Sequence, residues 1–249
     1  MDIENQIVTV NGGVEGLYCS ILGLVNPGDE VLQFDPSYDC YRPQIQMAGG
    51  KCIGLPLKPV HQQSKQELKE RCKDRFRAGK EDEWEINFEA FEKALNEKTK
   101  MLILNTPHNP TGKVFTEEEM ARLAKILQKF PQVVVVEDNV YEGMTFDDML
   151  DVTLPKMAFQ ENMFDRCLSI YSAGKIFAAT GVRSGWVIGP ANLIKSVRSV
   201  HQYTVFCPYN VTENAIRQSL DVISRPEDTY MHDYAAKLEK NRDIPVSYT

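Results

Sequence analysis

Five short apolar segments in this 249-residue sequence are each followed directly by residues that can bind or react with a small molecule. Glycine, asparagine, aspartate, tyrosine, serine and lysine occur in these positions, which are 11–13, 35–38, 105–112, 137–141 and 172–175. If the segments are parallel strands, their carboxyl ends meet at one edge of a sheet, where open α/β sheets bind ligands. One such position would carry little weight, but five together predict a site for a polar ligand that carries a phosphate.

Glycine, serine and arginine residues supply the chemistry of an anion site. Gly12 and Gly13 let backbone amides approach a phosphate at the start of a helix, where the helix dipole adds attraction. The Ser172 hydroxyl can donate to the same phosphate, and Arg183 can bind it with a charged, forked group. These four residues therefore predict a phosphate cradle.

The remaining candidates have the chemistry needed to bind an aromatic aldehyde. Tyr38 offers a flat face for a ring, and Asp138, at the end of a very apolar segment, can hold a proton on a ring nitrogen. Asn109 and Tyr141 can donate to a phenolate oxygen, and Lys175 can form a Schiff base with an aldehyde. A phosphate, an aromatic ring, a ring nitrogen, a phenolate and an aldehyde are the groups of pyridoxal phosphate (PLP).

Each of these residues also has an ordinary structural interpretation when it is taken alone. A Gly-Gly pair before a helix is usually a turn, an aspartate at a strand end is usually a cap or a surface charge, and Asn-Pro-Thr-Gly is a good turn sequence. A lysine after Ala-Gly is normally exposed, and a single tyrosine such as Tyr38 is normally part of the core. The order and spacing of the whole set favour the cofactor site.

Strand-length apolar runs alternate with helical patterns along the chain, which is typical of a mostly parallel sheet covered on both faces. Helices are predicted at 14–25, 38–48, 87–95, 116–130, 191–204, 210–224 and 227–241, with Asn87 as one N-cap and Thr116 and Glu119 as a capping box. The densely charged stretch 65–83 is predicted to be a solvated surface helix. We therefore expect an α/β fold with helices flanking seven strands, at 7–10, 31–34, 52–57, 101–104, 132–136, 167–171 and 185–189.

Composition excludes several classes of protein. The chain is 43% hydrophobic and 25% charged, with a net charge of −7, so no basic surface for nucleic acid or anionic membranes is expected. No apolar run reaches the roughly 18 residues of a membrane span. The six cysteines form no CxxC pair and the four histidines do not cluster with them, so no metal site and no disulfide framework is predicted. Reduced thiols and a start without a signal-peptide pattern favour the cytoplasm, although a mitochondrial location stays open because a transit peptide would precede residue 1 of a fuller chain.

The sequence resembles the fold-type I, class I/II aminotransferases, most of all the kynurenine–glutamine transaminase branch that also cleaves cysteine S-conjugates. The most specific motifs are NTPHNPTGK at 105–113 and SAGK with TGVRSGW at 172–186. The matching segments extend over residues 8–208, and the charged stretch 60–85 is the main gap. The resemblance implies that residues 1–249 form the large PLP-binding domain of such an enzyme, with a charged surface insertion at about 60–85.

The resemblance also implies roles for individual residues. Lys175 would carry the Schiff base and move the substrate proton, Asp138 would pair with the pyridinium nitrogen, and Tyr141 would bond the ring hydroxyl. Substrates would be an amino acid (kynurenine, glutamine, or an aromatic or sulfur amino acid) and a 2-oxo acid. A homodimer is implied, with the segment 201–208 near its interface. The full implied cofactor-binding set is Gly12, Gly13, Val14, Tyr38, Asn109, Asp138, Tyr141, Ser172, Lys175 and Arg183.

This sequence departs from the family pattern at several positions. Asn139 stands where the branch usually has glutamate, Tyr38 where it commonly has phenylalanine, and Arg183 where lysine is frequent. The loop Asn11-Gly12-Gly13-Val14 is smaller than the usual Gly-Ala-Tyr type. We expect the family's N-terminal arm and C-terminal small domain, with the arginine that binds the substrate carboxylate, to be absent from this sequence.

Three functions are therefore compared. The first is PLP-dependent transamination, which all the cofactor residues support. The second is a PLP-dependent C–S β-lyase, which shares the deprotonation at the substrate Cα and differs in releasing a β-substituent. The third is a PLP-binding remnant without turnover, which the expected absence of the carboxylate-binding arginine and the arm supports.

Overall fold

The computed structural model describes residues 2–60, 84–146 and 153–242. The predicted charged helix at 65–83 lies outside these residues. The strands are β1 Ile7–Val10, β2 Glu30–Asp35, β3 Lys51–Pro56, β4 Lys58–Pro59, β5 Trp84–Glu85, β6 Thr99–Asn105, β7 Val134–Asp138, β8 Cys167–Ser172 and β9 Gly185–Ile188. The α-helices are α1 Ile3–Gln6, α2 Gly13–Leu24, α3 Tyr41–Met47, α4 Phe88–Ala94, α5 Glu117–Leu127, α6 Ala173–Ile176, α7 Ala191–Thr204, α8 Asn210–Ile223 and α9 Tyr230–Arg242.

A seven-stranded sheet organises the molecule, in the order β1-β9-β8-β7-β6-β2-β3. The strands from β3 through β2, β6 and β7 to β8 are parallel to their neighbours, whereas β9 is antiparallel to both β8 and β1. The short strands β4 and β5 form a separate antiparallel pair. The predicted α/β fold with a seven-stranded, mostly parallel sheet is confirmed.

The buried side chains form two clusters, one on each face of the sheet. Consecutive strand residues alternate between them: Met101 joins one cluster and Leu102 the other, and Val134 and Val135 divide in the same way. Helices α2, α3 and α7 cover the first face, and α4 and α5 cover the second. Burial on both faces explains the continuous apolar runs that indicated the strands.

Local capping fixes two helix starts that the sequence predicts. The Asn87 side chain accepts a hydrogen bond from the Ala90 N–H at the start of α4. Thr116 and Glu119 form both hydrogen bonds of a capping box at the start of α5. These side chains satisfy N–H groups that the first helical turn leaves without a partner.

Two predicted element boundaries at the site are wrong. The strand predicted at 132–136 is Val134–Asp138, because Asn105 and Asp138 pair in register and extend the ladder to the edge of the sheet. The helix predicted at 38–48 is Tyr41–Met47, which places Pro43 in the first turn, where its missing N–H is tolerated. As a result, the Asp138 carboxylate stands at the end of β7 and the Tyr41 hydroxyl at the start of α3.

Three other findings concern the described part of the chain only. The described cysteines are free thiols: Cys19, Cys40, Cys52, Cys167 and Cys207. Within residues 2–60, 84–146 and 153–242, we find no group of three His, Cys, Asp or Glu side chains able to hold a metal ion. In the same residues, no helix has both the length and the apolar character needed to cross a bilayer.

Candidate active site

The carboxyl ends of β6, β7 and β8 and the start of α2 enclose a pocket of about 120 Å³. Of the ten predicted cofactor-binding residues, only Gly12 is not in its wall. The wall also contains Leu17, Asn105, Val140, Gly174 and Thr180. The predicted residues that line it are Gly13, Val14, Tyr38, Asn109, Asp138, Tyr141, Ser172, Lys175 and Arg183.

Asp138 is a buried carboxylate in this pocket, at the end of β7. The Tyr41 hydroxyl donates to its Oδ2 at 2.6 Å, whereas its Oδ1 has no hydrogen-bond partner among the described residues. Burial raises the pKa of Asp138 to about 6, and the Tyr41 hydroxyl, the nearby Val140 N–H and the Lys175 ammonium oppose that rise. The carboxylate is therefore mostly ionised at neutral pH, with one oxygen available to a ligand.

Two asparagines connect the loops at the edge of the sheet. Asn105 donates from Nδ2 to the Asp138 carbonyl oxygen at 2.7 Å and accepts from the Asn109 N–H at 2.7 Å. Asn109 donates from its own Nδ2 to the Tyr141 hydroxyl at 3.3 Å. Asn109 and Tyr141 are thus held as a pair of donors beside Asp138. The sequence analysis placed Asn105 at this edge of the sheet, as the first residue of NTPHNPTGK, but gave it no role in the site.

Lys175 lies in the four-residue helix α6, one strand away from Asp138. Its Nζ is 5.3 Å from the centroid of the Tyr141 ring. Among the described residues no carboxylate forms a salt bridge with it. The amine therefore faces the pocket without a competing ionic partner, as a nucleophile for a carbonyl carbon must.

The loop before α2 forms a backbone cradle. Gly12 has φ +88° and caps the helix without any side-chain hydrogen bond, so the first N–H groups of a 12-residue helix remain available to an anion. The Arg183 guanidinium donates to the carbonyl oxygens of Asn11, at 3.2 Å, and Thr180, at 3.1 Å. A Cβ on Gly12 would lie 2.7 Å from Arg183 Nη2 and would displace the guanidinium, and the positive φ of Gly12 itself favours glycine.

Tyr38 and Tyr41 form the aromatic wall of the site. Their rings meet edge to face, with centroids 5.6 Å apart. A hydrogen bond with the Cys40 thiol raises the pKa of Tyr38, which keeps its hydroxyl protonated. Tyr38 lines the pocket, whereas Tyr41 is fully buried behind it.

Residues 1–246 match the profile of the family described as "Aminotransferase class I and II". The chain belongs to this family. Its members are PLP-dependent enzymes. The residues of the pocket fit that group. Within the described part of the chain, Asp138 Oδ1 is an unpartnered acceptor for a ring N–H and no carboxylate forms a salt bridge with the Lys175 amine. Asn109 and Tyr141 are paired donors, and the start of α2 is an anion cradle.

Individual relatives agree with the family. The chain is 34% identical over 245 residues to human kynurenine–oxoglutarate transaminase 1, covering 97% of this chain and 54% of that protein. Bna3p of Saccharomyces cerevisiae, a putative kynurenine aminotransferase, superposes with a TM-score of 0.80 at 35% identity over 96% of this chain and 53% of that one. N-succinyldiaminopimelate aminotransferase of Mycobacterium tuberculosis gives 0.83 at 32% identity, over 97% and 56%. The chain spans about half the length of these relatives.

Proposed function

We propose that this chain binds PLP and uses it to transfer the amino group of an amino acid to a 2-oxo acid. The observation that carries the proposal is the arrangement of Lys175 and the unpartnered Oδ1 of Asp138 in one pocket, next to the N-terminal cradle of α2. A carboxylate for a ring nitrogen, an amine for an aldehyde and an anion cradle are the three contacts that distinguish PLP from other phosphate ligands.

When bound, PLP supplies a protonated ring that accepts the electron pair left at the substrate Cα after deprotonation. Residues of this chain would keep the ring protonated and hold it in place. Asp138 would accept the hydrogen bond of the ring nitrogen and favour its protonated form, and Asn109 and Tyr141 would donate to the ring oxygen. The Lys175 amine would bind the aldehyde of PLP and would serve as the base that takes the proton from the substrate Cα.

We propose kynurenine, glutamine, or another aromatic or sulfur amino acid as the amino donor. Human and yeast relatives are named kynurenine–oxoglutarate transaminases, which supports this choice. A cleft adjoining the pocket contains Lys175 and Tyr141 and has the apolar residues Met144, Phe146 and Leu238 in its wall. Apolar walls beside the reactive amine favour a large, weakly polar side chain on the substrate.

The assay that tests this proposal mixes the purified chain, PLP, a 2-oxo acid and one candidate amino donor, and measures both products by mass spectrometry. Transamination yields the amino acid of the 2-oxo acid in an amount equal to the oxo product. The Lys175→Ala variant should give neither. Full transfer by that variant contradicts the proposed role of Lys175.

The same assay separates the two alternative functions. A C–S β-lyase supplied with a cysteine S-conjugate releases pyruvate and ammonia without a matching amino-acid product. A PLP-binding remnant retains the cofactor through gel filtration and forms no product with any donor. Since both share the cofactor residues with a transaminase, only product analysis distinguishes them.

We further propose that the chain acts as a homodimer. An exposed apolar segment supports this: the exposed fractions of Tyr203, Phe206, Tyr209 and Val211 are 90%, 69%, 70% and 65%. Several large, exposed apolar side chains within one short segment are typical of a protein interface. Analytical ultracentrifugation should give twice the 28.3 kDa chain mass, and a charged substitution at Phe206 should shift the mass to the monomer. A wild-type monomer at micromolar concentration contradicts the proposal.

A further inference from the structure

We propose that Tyr41 is a positioning residue for the cofactor's ring nitrogen, which it controls through Asp138. Its hydroxyl holds one oxygen of the Asp138 carboxylate at 2.6 Å, which leaves the other oxygen as the free acceptor of the pocket. Tyr41 is not in the pocket wall, and its hydroxyl acts on the site through Asp138. This inference rests on the proposed function, since it concerns the group that Asp138 would bind.

Both partners of this hydrogen bond are fixed by their own elements. Tyr41 is the first residue of α3, is 2% exposed and belongs to the core cluster on its face of the sheet. The Gln44 side chain, one turn later, donates to the Val14 carbonyl oxygen and ties α3 to the start of α2. Asp138 ends β7, with its carbonyl oxygen bonded by Asn105. The bond therefore joins two rigid elements from residues 97 positions apart in the chain.

The charge on Asp138 depends on few groups. The titratable side chains that act on Tyr41 and Asp138 are Tyr38, Tyr141 and Lys175, and Lys175 is the only cation among them. Burial and these neighbours raise the pKa of Tyr41 well above its usual value, so its hydroxyl remains a neutral donor. Tyr41 supplies the only side-chain hydrogen bond that Asp138 accepts from the described residues.

Loss of the Tyr41 hydroxyl would therefore change the titration of Asp138. Without that donor the pKa of Asp138 would rise above its value of about 6 and approach neutral pH. A protonated carboxyl group accepts the hydrogen bond of a protonated ring nitrogen much more weakly than a carboxylate does, and a carboxylate that has lost the Tyr41 bond can also rotate more freely. Both effects weaken cofactor binding, although the substituted residue is not itself in the pocket wall.

Tyr41→Phe is the informative variant because it keeps the buried ring and deletes only the hydroxyl. The matched control is Tyr171→Phe, which removes a hydroxyl from another tyrosine whose ring is held by packing, in this case on Trp186 with centroids 5.8 Å apart. The first measurement is the PLP dissociation constant of each chain from pH 6 to pH 8.5. The pH midpoint of the affinity profile should move up by about one pH unit in Tyr41→Phe only, which makes PLP binding roughly threefold weaker near pH 6.5.

The second measurement uses the chain without cofactor, and records urea unfolding of the same proteins at pH 5 and pH 8. At pH 5 Asp138 is mostly protonated and loses a neutral hydrogen bond, whereas at pH 8 it is ionised and loses a charge-assisted one. Tyr41→Phe should therefore destabilise the fold more at pH 8 than at pH 5. An equal loss at both values, together with an unshifted binding profile, shows that Tyr41 only fills space and overturns the inference.

The two measurements also separate this inference from the proposed function. If the wild-type chain fails to bind PLP at any pH, the proposed function fails. The unfolding experiment still reports whether Tyr41 sets the titration of Asp138. If PLP binds and neither pH profile changes in Tyr41→Phe, only the inference about Tyr41 fails.

Discussion

At the scale of single residues, Asp138 combines a cost to stability with a role at the site. Its pKa is raised to about 6 in the fold from an ordinary 3.8, so the folded state favours the protonated form. The contribution of Asp138 to the free energy of unfolding is therefore fully present below about pH 4 and is lost as the pH rises through about 6, where the buried carboxyl group ionises. The chain therefore keeps a buried carboxylate that opposes folding at neutral pH, which is typical of a functional position.

The Asp138→Asn variant removes the buried charge of Asp138 and tests both its cost to stability and its proposed role. Asparagine has the same shape and no charge, so at pH 8 the variant should be more stable than the wild type by roughly 2–3 kcal/mol, with the difference vanishing near pH 4. Transamination should fall by at least roughly a hundredfold, because the ring nitrogen loses its anionic partner. Urea unfolding at the two pH values and the product assay check both expectations. A variant that is less stable at pH 8 and fully active contradicts them.

Gly12 gives a second prediction at this scale, with a matched control in the same chain. Gly12 and Gly28 have similar positive φ values, +88° and +93°, but a Cβ on Gly12 would lie 2.7 Å from Arg183 whereas one on Gly28 would meet nothing within 4 Å. Both alanine variants should lose about 1 kcal/mol to backbone strain. Only Gly12→Ala should also weaken PLP binding, which a cofactor titration measures. Equal affinities would show that the cradle does not depend on this approach.

Part of the site could be predicted residue by residue and part could not. The positions of Gly13, Asp138 and Lys175 in the pocket could be predicted because each follows, or ends, an apolar strand. Tyr41 was not found, because a tyrosine on the apolar face of a helix has the pattern of the core, and its partner is 97 residues away. A hydrogen bond of that span leaves no periodic or local signal in a sequence.

At the scale of elements, the packing of α2 against α7 holds the cradle in place. The Glu15 carboxylate, in the first turn of α2, bonds His201 Nδ1 of α7 at 2.7 Å and accepts from the Asn11 N–H. Glu15 and His201 are both largely buried, with side chains 11% and 7% exposed. The Asn11 backbone is therefore held on both sides: its N–H donates to Glu15, and its carbonyl oxygen accepts from Arg183. The position of the loop thus depends on a contact between two helices.

Removing the histidine tests this arrangement. His201→Ala removes a buried hydrogen-bond partner of the Glu15 carboxylate and leaves a cavity, and should destabilise the fold by roughly 3 kcal/mol. The control is Lys129→Ala, which breaks the exposed Lys129–Glu92 pair and should cost less than about 1 kcal/mol. Urea unfolding gives both values. Equal losses in the two variants would mean that the Glu15–His201 pair is no more important than a surface ion pair.

Element boundaries were predictable where side chains cap or cluster and less so at the edge of the sheet. Asn87, Thr116 and Glu119 marked helix starts through local chemistry that sequence shows directly. The end of β7 was missed because Glu137 and Asp138 are charged and were assigned to a loop. In the structure Glu137 is buried and accepts hydrogen bonds from the Met157 N–H and the Ser169 hydroxyl. Only the folded chain brings these groups together.

At the scale of the whole molecule, the site is assembled from segments that begin at residue 12 and end at residue 183. The parallel sheet makes this possible, because consecutive strands deliver their carboxyl ends to one edge while helices cover both faces. The fold class and the family could be predicted from sequence, since they depend on the alternation of elements and on two specific motifs. The proposed dimer depends instead on surfaces that two chains bring together, and neither the alternation of elements nor a motif encodes these.

The central claim is that Lys175 is the residue to which PLP attaches. The direct measurement is to incubate the purified chain with PLP, reduce with borohydride, digest it and locate the phosphopyridoxyl mass by peptide mass spectrometry. The account predicts one dominant label, on Lys175, which Lys175→Ala loses while Lys113→Ala, a change at a lysine already paired with Glu119 at 2.8 Å, retains it. Labels scattered over surface lysines of the folded chain, or a full label in Lys175→Ala, would contradict it.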